Sequence, residues 1–259
     1  MNRVRVAGAV LLLAAGSARA QTMLDQQQRL IEIHSLLLDL SPMDAPGAYR
    51  AGEVSLGVEI IGIPTINGQT GGKVQFTASD RTFAFPRPRL AIGLPAPDGF
   101  RAFVGLSYIP PITILEINEH FLALEGGLAW VPEGPWAVGI RAHALVSRAK
   151  TSVTESDTRD TLDDLEFGGD LSAGYRFGLS GLTVTPFAAV GVTRVIGNFR
   201  VTSDNVLLTS RTTNPSVTGG VRLFARPGLT AIAEVVVFPG RLVHPSISLA
   251  WTFDWFVKR

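Results

Sequence analysis

The chain has 259 residues, with 23 Lys and Arg against 22 Asp and Glu and no cysteine. A disulfide framework and a lipid-bearing cysteine are therefore excluded, and the near-balance of charge speaks against nucleic acid as a partner. The length suits one large β domain or two small ones.

The first twenty residues place Arg3 and Arg5 before an apolar run, which ends in Ala18-Arg19-Ala20. That order is a secretory signal peptide, and the run falls short of the ~20 residues a membrane helix needs. Cleavage is expected after Ala20, leaving Gln21 first. Residues 1–20 hold three basic residues and no acid, so the mature chain carries 20 basic and 22 acidic groups. Residues 21–50 form an N-terminal helix and linker. The helix is expected from about Met23 to Leu40, with Leu30, Ile33, Leu37 and Leu40 on one stripe, Gln28, Glu32 and Asp39 away from it, and Pro42 ending it. A plug inside a barrel, a contact for a periplasmic partner and a helix packed beneath a barrel rim are the three readings. The apolar stripe favours the last, because it suits a polar lumen poorly.

From Ala51 onward the sequence alternates with period two, broken by Gly, Pro and Asp. Ten segments are expected: Gly52–Ile63, Arg87–Pro95, Phe100–Tyr108, Phe121–Trp130, Trp136–Ala149, Leu165–Phe177, Leu182–Val195, Ser216–Ala225, Leu229–Phe238 and Val243–Asp254. Tight turns (APDG, VPEGP, GLSG, RPG) alternate with connections that are mostly longer and more polar. No later apolar run is long enough for a membrane helix, so a membrane span must be a closed barrel that satisfies its own backbone. The expected fold is all-β: an up-and-down antiparallel transmembrane β-barrel of about ten strands over 51–259, preceded by the short helix.

Each segment has one face without charge, as in Val54, Leu56, Val58 and Ile60, or Trp136, Val138, Ile140, Ala142, Ala144 and Val146. The opposite faces hold Glu53, Glu59, Arg87, Arg89, Glu125, Arg141, His143, Glu166, Asp170, Arg176, Arg222 and Glu234, with many glycines. An Arg facing lipid at the bilayer midplane costs ~2–4 kcal/mol, so these residues are assigned to the lumen, where a connected network is expected. Trp130, Trp136, Trp251 and Trp255 all fall at segment ends nearest a short turn or the C-terminus, as a ring at one membrane interface requires. A soluble periplasmic barrel that binds a ligand would turn the apolar face inward, and is the alternative. The last segment is expected to close the barrel on the first, near Val54–Ile60.

On these residues the chain resembles the bacterial outer-membrane β-barrel proteins as a class. The resemblance covers the signal peptide and the region from Ala51 to the end. The last strand looks like the assembly signal of that class, with Ser246, Ser248, Trp251 and Phe253 filling its places. It departs in having Ser248 where Gly is usual, and in running on past Phe253. The resemblance implies residence in the outer membrane, lipid as surroundings, and periplasmic chaperones and the barrel-assembly machinery as partners.

Enzymes of that class suggest two further patterns. His244 and Ser246 resemble the His-x-Ser element of lipid A deacylases, but Ile247 replaces the usual Asn and the register turns the pair inward. An omptin-like protease would need paired acids and an Asp-His dyad, for which His120, Asp157, Asp160, Asp163 and Asp164 supply residues without a recognised spacing. The same acids lack the spacing of a Ca²⁺ loop. No cofactor and no metal are expected. The favoured role is non-enzymatic: structural, surface-interacting, or narrow passage of a small solute through the charged lumen. A membrane-embedded hydrolase is the alternative.

Overall fold

A computed structural model describes residues 31–62 apart from 33, 42 and 43, then 84–114, 117–151, 160–201, 206–225 and 228–255. The signal-peptide reading, the first part of the expected helix, Ile33, Pro42 and Asp157 lie outside the described residues.

Eleven strands follow a helical stretch, α1, at residues 31–38. They are β1 (Glu53–Gly62), β2 (Ala84–Leu94), β3 (Phe100–Ile114), β4 (Ile117–Trp130), β5 (Trp136–Thr151), β6 (Asp160–Tyr175), the three-residue β7 (Phe177–Leu179), β8 (Leu182–Val201), β9 (Val206–Ala225), β10 (Leu229–Phe238) and β11 (Leu242–Asp254). All pairings are antiparallel. β6 pairs directly with β8, and β1 pairs with β11 from Glu53↔Asp254 to Ile61↔Ser246. Ten strands thereby close into a ring, and β7 extends the β6 arm beside the start of β8.

Every expected segment is a strand, but several run further than expected at the end away from the tight turns. β8 and β9 are twenty residues each and stay paired up to Val201↔Val206. The polar stretch from Gly197 to Asn214, which falls between two expected segments, is strand over its described residues. β3 and β4 likewise continue to Ile114↔Ile117, past a register shift between Ile109 and Ile112. Pro110 and Pro111 sit at that shift, where two residues without an N–H interrupt the ladder. β2 pairs with β3 over only Arg89–Leu94, while its other edge holds β1 from Ala84 to Ile92.

The barrel is apolar outside and polar within. On β5 the outward residues run from Trp136 to Val146 without a charge, a distance of ten residue steps, before Arg148. Ten steps at ~3.3 Å, tilted by ~40°, give a band about 25 Å tall, the height of a membrane barrel's lipid-facing surface. Exposed Leu124, Ile140, Leu171, Val190, Ile247 and Leu249 continue that band around the wall. A continuous apolar surface of this extent is far larger than the ~300–600 Å² patch of a soluble monomer. The four Trp are 46–66 % exposed and cluster at the tight-turn rim, where Trp136 meets Tyr175 edge-on at 4.8 Å and Tyr175 meets Phe177 at 4.6 Å.

Two measurements check this orientation. Ile140 faces outward near mid-band and is 58 % exposed; Ile140→Arg is expected to lower unfolding stability in bilayers by about 2–4 kcal/mol, read from denaturant titration. In bilayers, Trp emission is expected to be quenched more by lipids brominated near the headgroup than by lipids brominated deep in the chain.

Candidate functional site

The interior of the barrel is filled by residues 31–50 of the same chain. α1 enters at the end opposite the tight turns, where Ile31 packs with Ala149, Leu162 and Phe199, and Leu208 lies against them. One turn on, Leu36 meets Val195, Val236, Phe238 and Leu242. Leu38 and Leu40 then join Ile109, Phe121, Ala123 and Leu145. The segment descends through Asp39, Ser41 and Asp44 and reaches the tight-turn rim at Tyr49, whose ring lies 5.2 Å from Phe103. A turn at Gly52 leads into β1.

The helix is thus a plug, which corrects the expectation of a helix beneath the rim. The lumen is not uniformly polar. Its far half presents inward apolar residues that receive the apolar side of α1, beside the buried Asp160, Asp164 and Glu166, and its near half is mainly charged and polar. Asp39, placed away from the packed stripe in the sequence, is buried: His143 Nε2 lies 2.9 Å from one of its oxygens, and the Thr193 hydroxyl donates to the other at 3.2 Å.

The charged half grips the backbone where the helix ends. A helix leaves its last carbonyls without internal partners, and its C-terminus favours cations. Arg87 donates to the Leu38 carbonyl at 2.7 Å. Arg141 donates to the Leu40 carbonyl at 2.5 Å and to that of Ser41 at 3.0 Å. Both arginines are held by the wall. Arg87 pairs with Glu59 at 2.5 Å and lies over the Phe121 ring at 5.4 Å. Arg141 bridges Glu125 at 2.9 Å and Asp170 at 2.7 Å, and Arg89 clasps Glu125 from the other side at 2.6 Å. Lower down, Arg222 pairs with Asp44 of the plug at 2.7 Å, and Arg101 donates to the Gly47 carbonyl. At the far end His34 meets Asp164 at 2.9 Å, and Glu32 pairs with Arg241.

The sequence-assigned lumen residues fall as follows. Glu59, Arg87, Glu125, Arg141, His143, Glu166, Asp170, Arg222 and Glu234 are buried inside, and Arg89 nearly so. Glu53 and Arg176 are half-buried at the tight-turn rim: Glu53 accepts from the Arg50 backbone N–H at 2.7 Å, and the Arg176 N–H donates to Pro135. The network is connected with exceptions, since both carboxylate oxygens of Glu166 and both ring nitrogens of His244 lack a hydrogen-bond partner among the described residues. Sequence reading missed Asp39, Asp44 and Ser41 as interior partners. Its available signal was the row of inward glycines. A side chain at Gly93 would overlap the Arg50 carbonyl, and one at Gly197 would overlap Ile31, so the wall is thinned where the plug passes.

The residues of the enzyme-like patterns are placed as follows. His244 and Ser246 are both buried, with Ser246 donating to Glu234 at 3.1 Å and His244 stacked on Phe238 at 6.1 Å. Asp160 and Asp164 face inward, while Asp163 faces out and pairs with Arg148. His120 faces out beside Tyr108, at 5.9 Å. Ser246 and Ser248 of the assembly-signal reading are inside the barrel, whereas Trp251 is exposed and Phe253 lies 6.1 Å from Trp255.

No family model matches the sequence, and no curated protein matches it. Among solved structures, the chain is similar to the translocator domain of the autotransporter NalP from Neisseria meningitidis. The TM-score is 0.45 at 9 % identity, over 91 % of this chain and 97 % of that one. It is similar to the β domain of the Bordetella autotransporter BrkA, with a TM-score of 0.42 at 13 % identity, over 78 % of this chain and 98 % of that one. Rv2717c from M. tuberculosis gives a TM-score of 0.42 at 10 % identity, over 82 % and 98 %. At these identities and TM-scores the likeness carries no argument about this chain. The architecture, a closed antiparallel barrel with its apolar face outward, is that of the outer-membrane β-barrels.

Removal of Arg141 leaves Glu125 and Asp170 buried without one of their cations and frees two plug carbonyls. Arg141→Ala is expected to cost about 3–5 kcal/mol in unfolding free energy. Arg141→Lys is expected to recover only part of it, because one ammonium cannot reach both carboxylates and both carbonyls at once. Equilibrium unfolding of the refolded barrel measures both.

Proposed function

We propose that this chain resides in the bacterial outer membrane as a non-enzymatic barrel held closed by its own N-terminal segment. In this reading it is exported through a cleaved signal and delivered by periplasmic chaperones to the barrel-assembly machinery. Its tight turns and Trp ring face the periplasm. The observation that carries the reading is the pairing of a charge-free outer band with an interior whose arginines are occupied by the plug's carbonyls. The band suits lipid and nothing soluble. The occupied interior suits a scaffold or surface protein better than a standing pore. Passage of a small solute requires that residues 31–50 first move.

The His244–Ser246 pair that suggested the hydrolase alternative lies inside the barrel, away from lipid. A soluble ligand-binding barrel would leave the apolar band in water, at ~25 cal/mol for each Å² exposed.

Refolding with detergent-gel analysis and planar-bilayer recording tests this reading. The wild-type chain is expected to show a heat-modifiable folded form and little conductance. The Arg87→Ala, Arg141→Ala double variant is expected to keep the heat-modifiable form while showing frequent openings. A wild-type barrel that conducts steadily, with no change in the variant, would exclude closure by the plug. A freely soluble wild-type chain without a heat-modifiable form would exclude the membrane barrel.

A further inference from the structure

Beyond the apolar band the outer wall becomes basic on β5, β8 and β9. On β5 the outward residues after Val146 are Arg148 and Lys150; on β8, after Val192, come Arg194, Ile196, Asn198 and Arg200; on β9 Arg211 precedes Thr213. The register sets Arg148 opposite Asp163 and Asp163 opposite Asn198, while Lys150 lies opposite Thr161 and Thr161 opposite Arg200. Arg194 lies opposite Thr213, and Ile196 opposite Arg211. With strands ~4.8 Å apart and same-face residues ~6.7 Å apart along a strand, five basic side chains share a patch about 15–20 Å across.

Asp163 is the one acid facing outward within that patch among the described residues, and Arg148 is engaged with it. Arg194 donates to the Thr213 hydroxyl at 2.8 Å. Lys150, Arg200 and Arg211 are exposed and have no acidic partner among the described residues.

We infer that this patch binds the phosphate groups of outer-leaflet lipid, the phosphorylated glycolipid of lipid A chemistry. The inference rests on the membrane reading above. The patch lies on the side of the wall, immediately beyond the apolar band and at the end opposite the tight turns. That is the level of headgroups in the outer leaflet. Leu165, Phe167 and Val192 lie directly below it and give the acyl chains of the same lipid an apolar wall. Guanidinium groups suit phosphate oxygens geometrically, and each basic group near an anionic leaflet contributes about 1 kcal/mol. An acidic protein approaching from outside would meet the barrel's end rather than its flank.

The test uses the chain refolded in neutral detergent, with unfolding followed as the heat-driven loss of the fast-migrating gel form. Phosphorylated lipid A is expected to raise the midpoint of that loss. The same lipid stripped of phosphate, and inorganic phosphate, are expected to leave it unchanged. In the Lys150→Gln, Arg200→Gln, Arg211→Gln variant, the lipid A concentration for half the effect is expected to rise roughly a hundredfold. The Lys150→Arg, Arg200→Lys, Arg211→Lys variant is expected to respond as wild type. A wild-type response in the neutral variant, or an equal response to phosphate-free lipid, overturns the proposal; an equal response to inorganic phosphate overturns lipid as the ligand. If the neutral variant does not fold, Arg200→Gln and Arg211→Gln are measured singly, and a wild-type response in both overturns it. Loss of the membrane reading is distinguishable, because the wild-type chain would then show no heat-modifiable form at all.

Discussion

Arg141 touches the wall and the plug with a single guanidinium. Its donors reach Glu125 and Asp170 on neighbouring strands and the carbonyls of Leu40 and Ser41 on the segment within. A barrel of ten strands is too wide for ordinary side chains to fill and too narrow to hold a useful column of water around buried charge. Something must satisfy the polar groups that the strands turn inward, since an unpaired charge in that setting costs several kcal/mol. Arg87 meets that requirement with the carbonyl of Leu38 at the helix end, and Arg141 with those of Leu40 and Ser41 just beyond it. The plug is therefore part of the core, and the wall's charge pattern makes sense only with the plug in place.

The interior divides into two chemistries along its axis, and the division explains the shape of the plug. The turn-side half is ionic and receives an extended chain, whose exposed backbone offers acceptors. The far half carries the apolar clusters as well as the inward Asp160, Asp164 and Glu166, and receives a helix whose backbone is already satisfied and whose Ile31, Leu36 and Leu38 enter those clusters. Each half thus meets the secondary structure whose hydrogen-bonding state fits it.

Much of the barrel was legible in the sequence, because within the lipid band one face must be apolar and the other must not. Trp136 to Val146 reads plainly for that reason. Past the band the outer face turns polar, and the contrast between an apolar and a polar face disappears. Thr209, Ser210, Arg211, Thr212 and Thr213 look like a loop although they pair across to β8. The plug was hidden by an argument from averages: a polar lumen was taken to be polar throughout. Ile109, Phe121, Leu145 and Phe199 stand on the same inward faces as the charges, only further along, and they are what α1 packs against. The glycines at 93 and 197 were visible as small residues, but the object they make room for was not, because its partners are remote in sequence.

The ring is sealed by the pairing of β1 with β11, residues separated by nearly the whole barrel sequence. The plug immediately precedes β1. Once that seam has formed, residues 31–50 are enclosed by a continuous hoop of backbone hydrogen bonds and have no sideways exit. They must already be in position when the last strand arrives, or else slide in along the axis afterwards past Arg141 and Arg87. The topology leaves these two orders and no sideways one. In the first, the N-terminal segment acts as the mandrel around which the sheet is wound, and the final strand locks it inside.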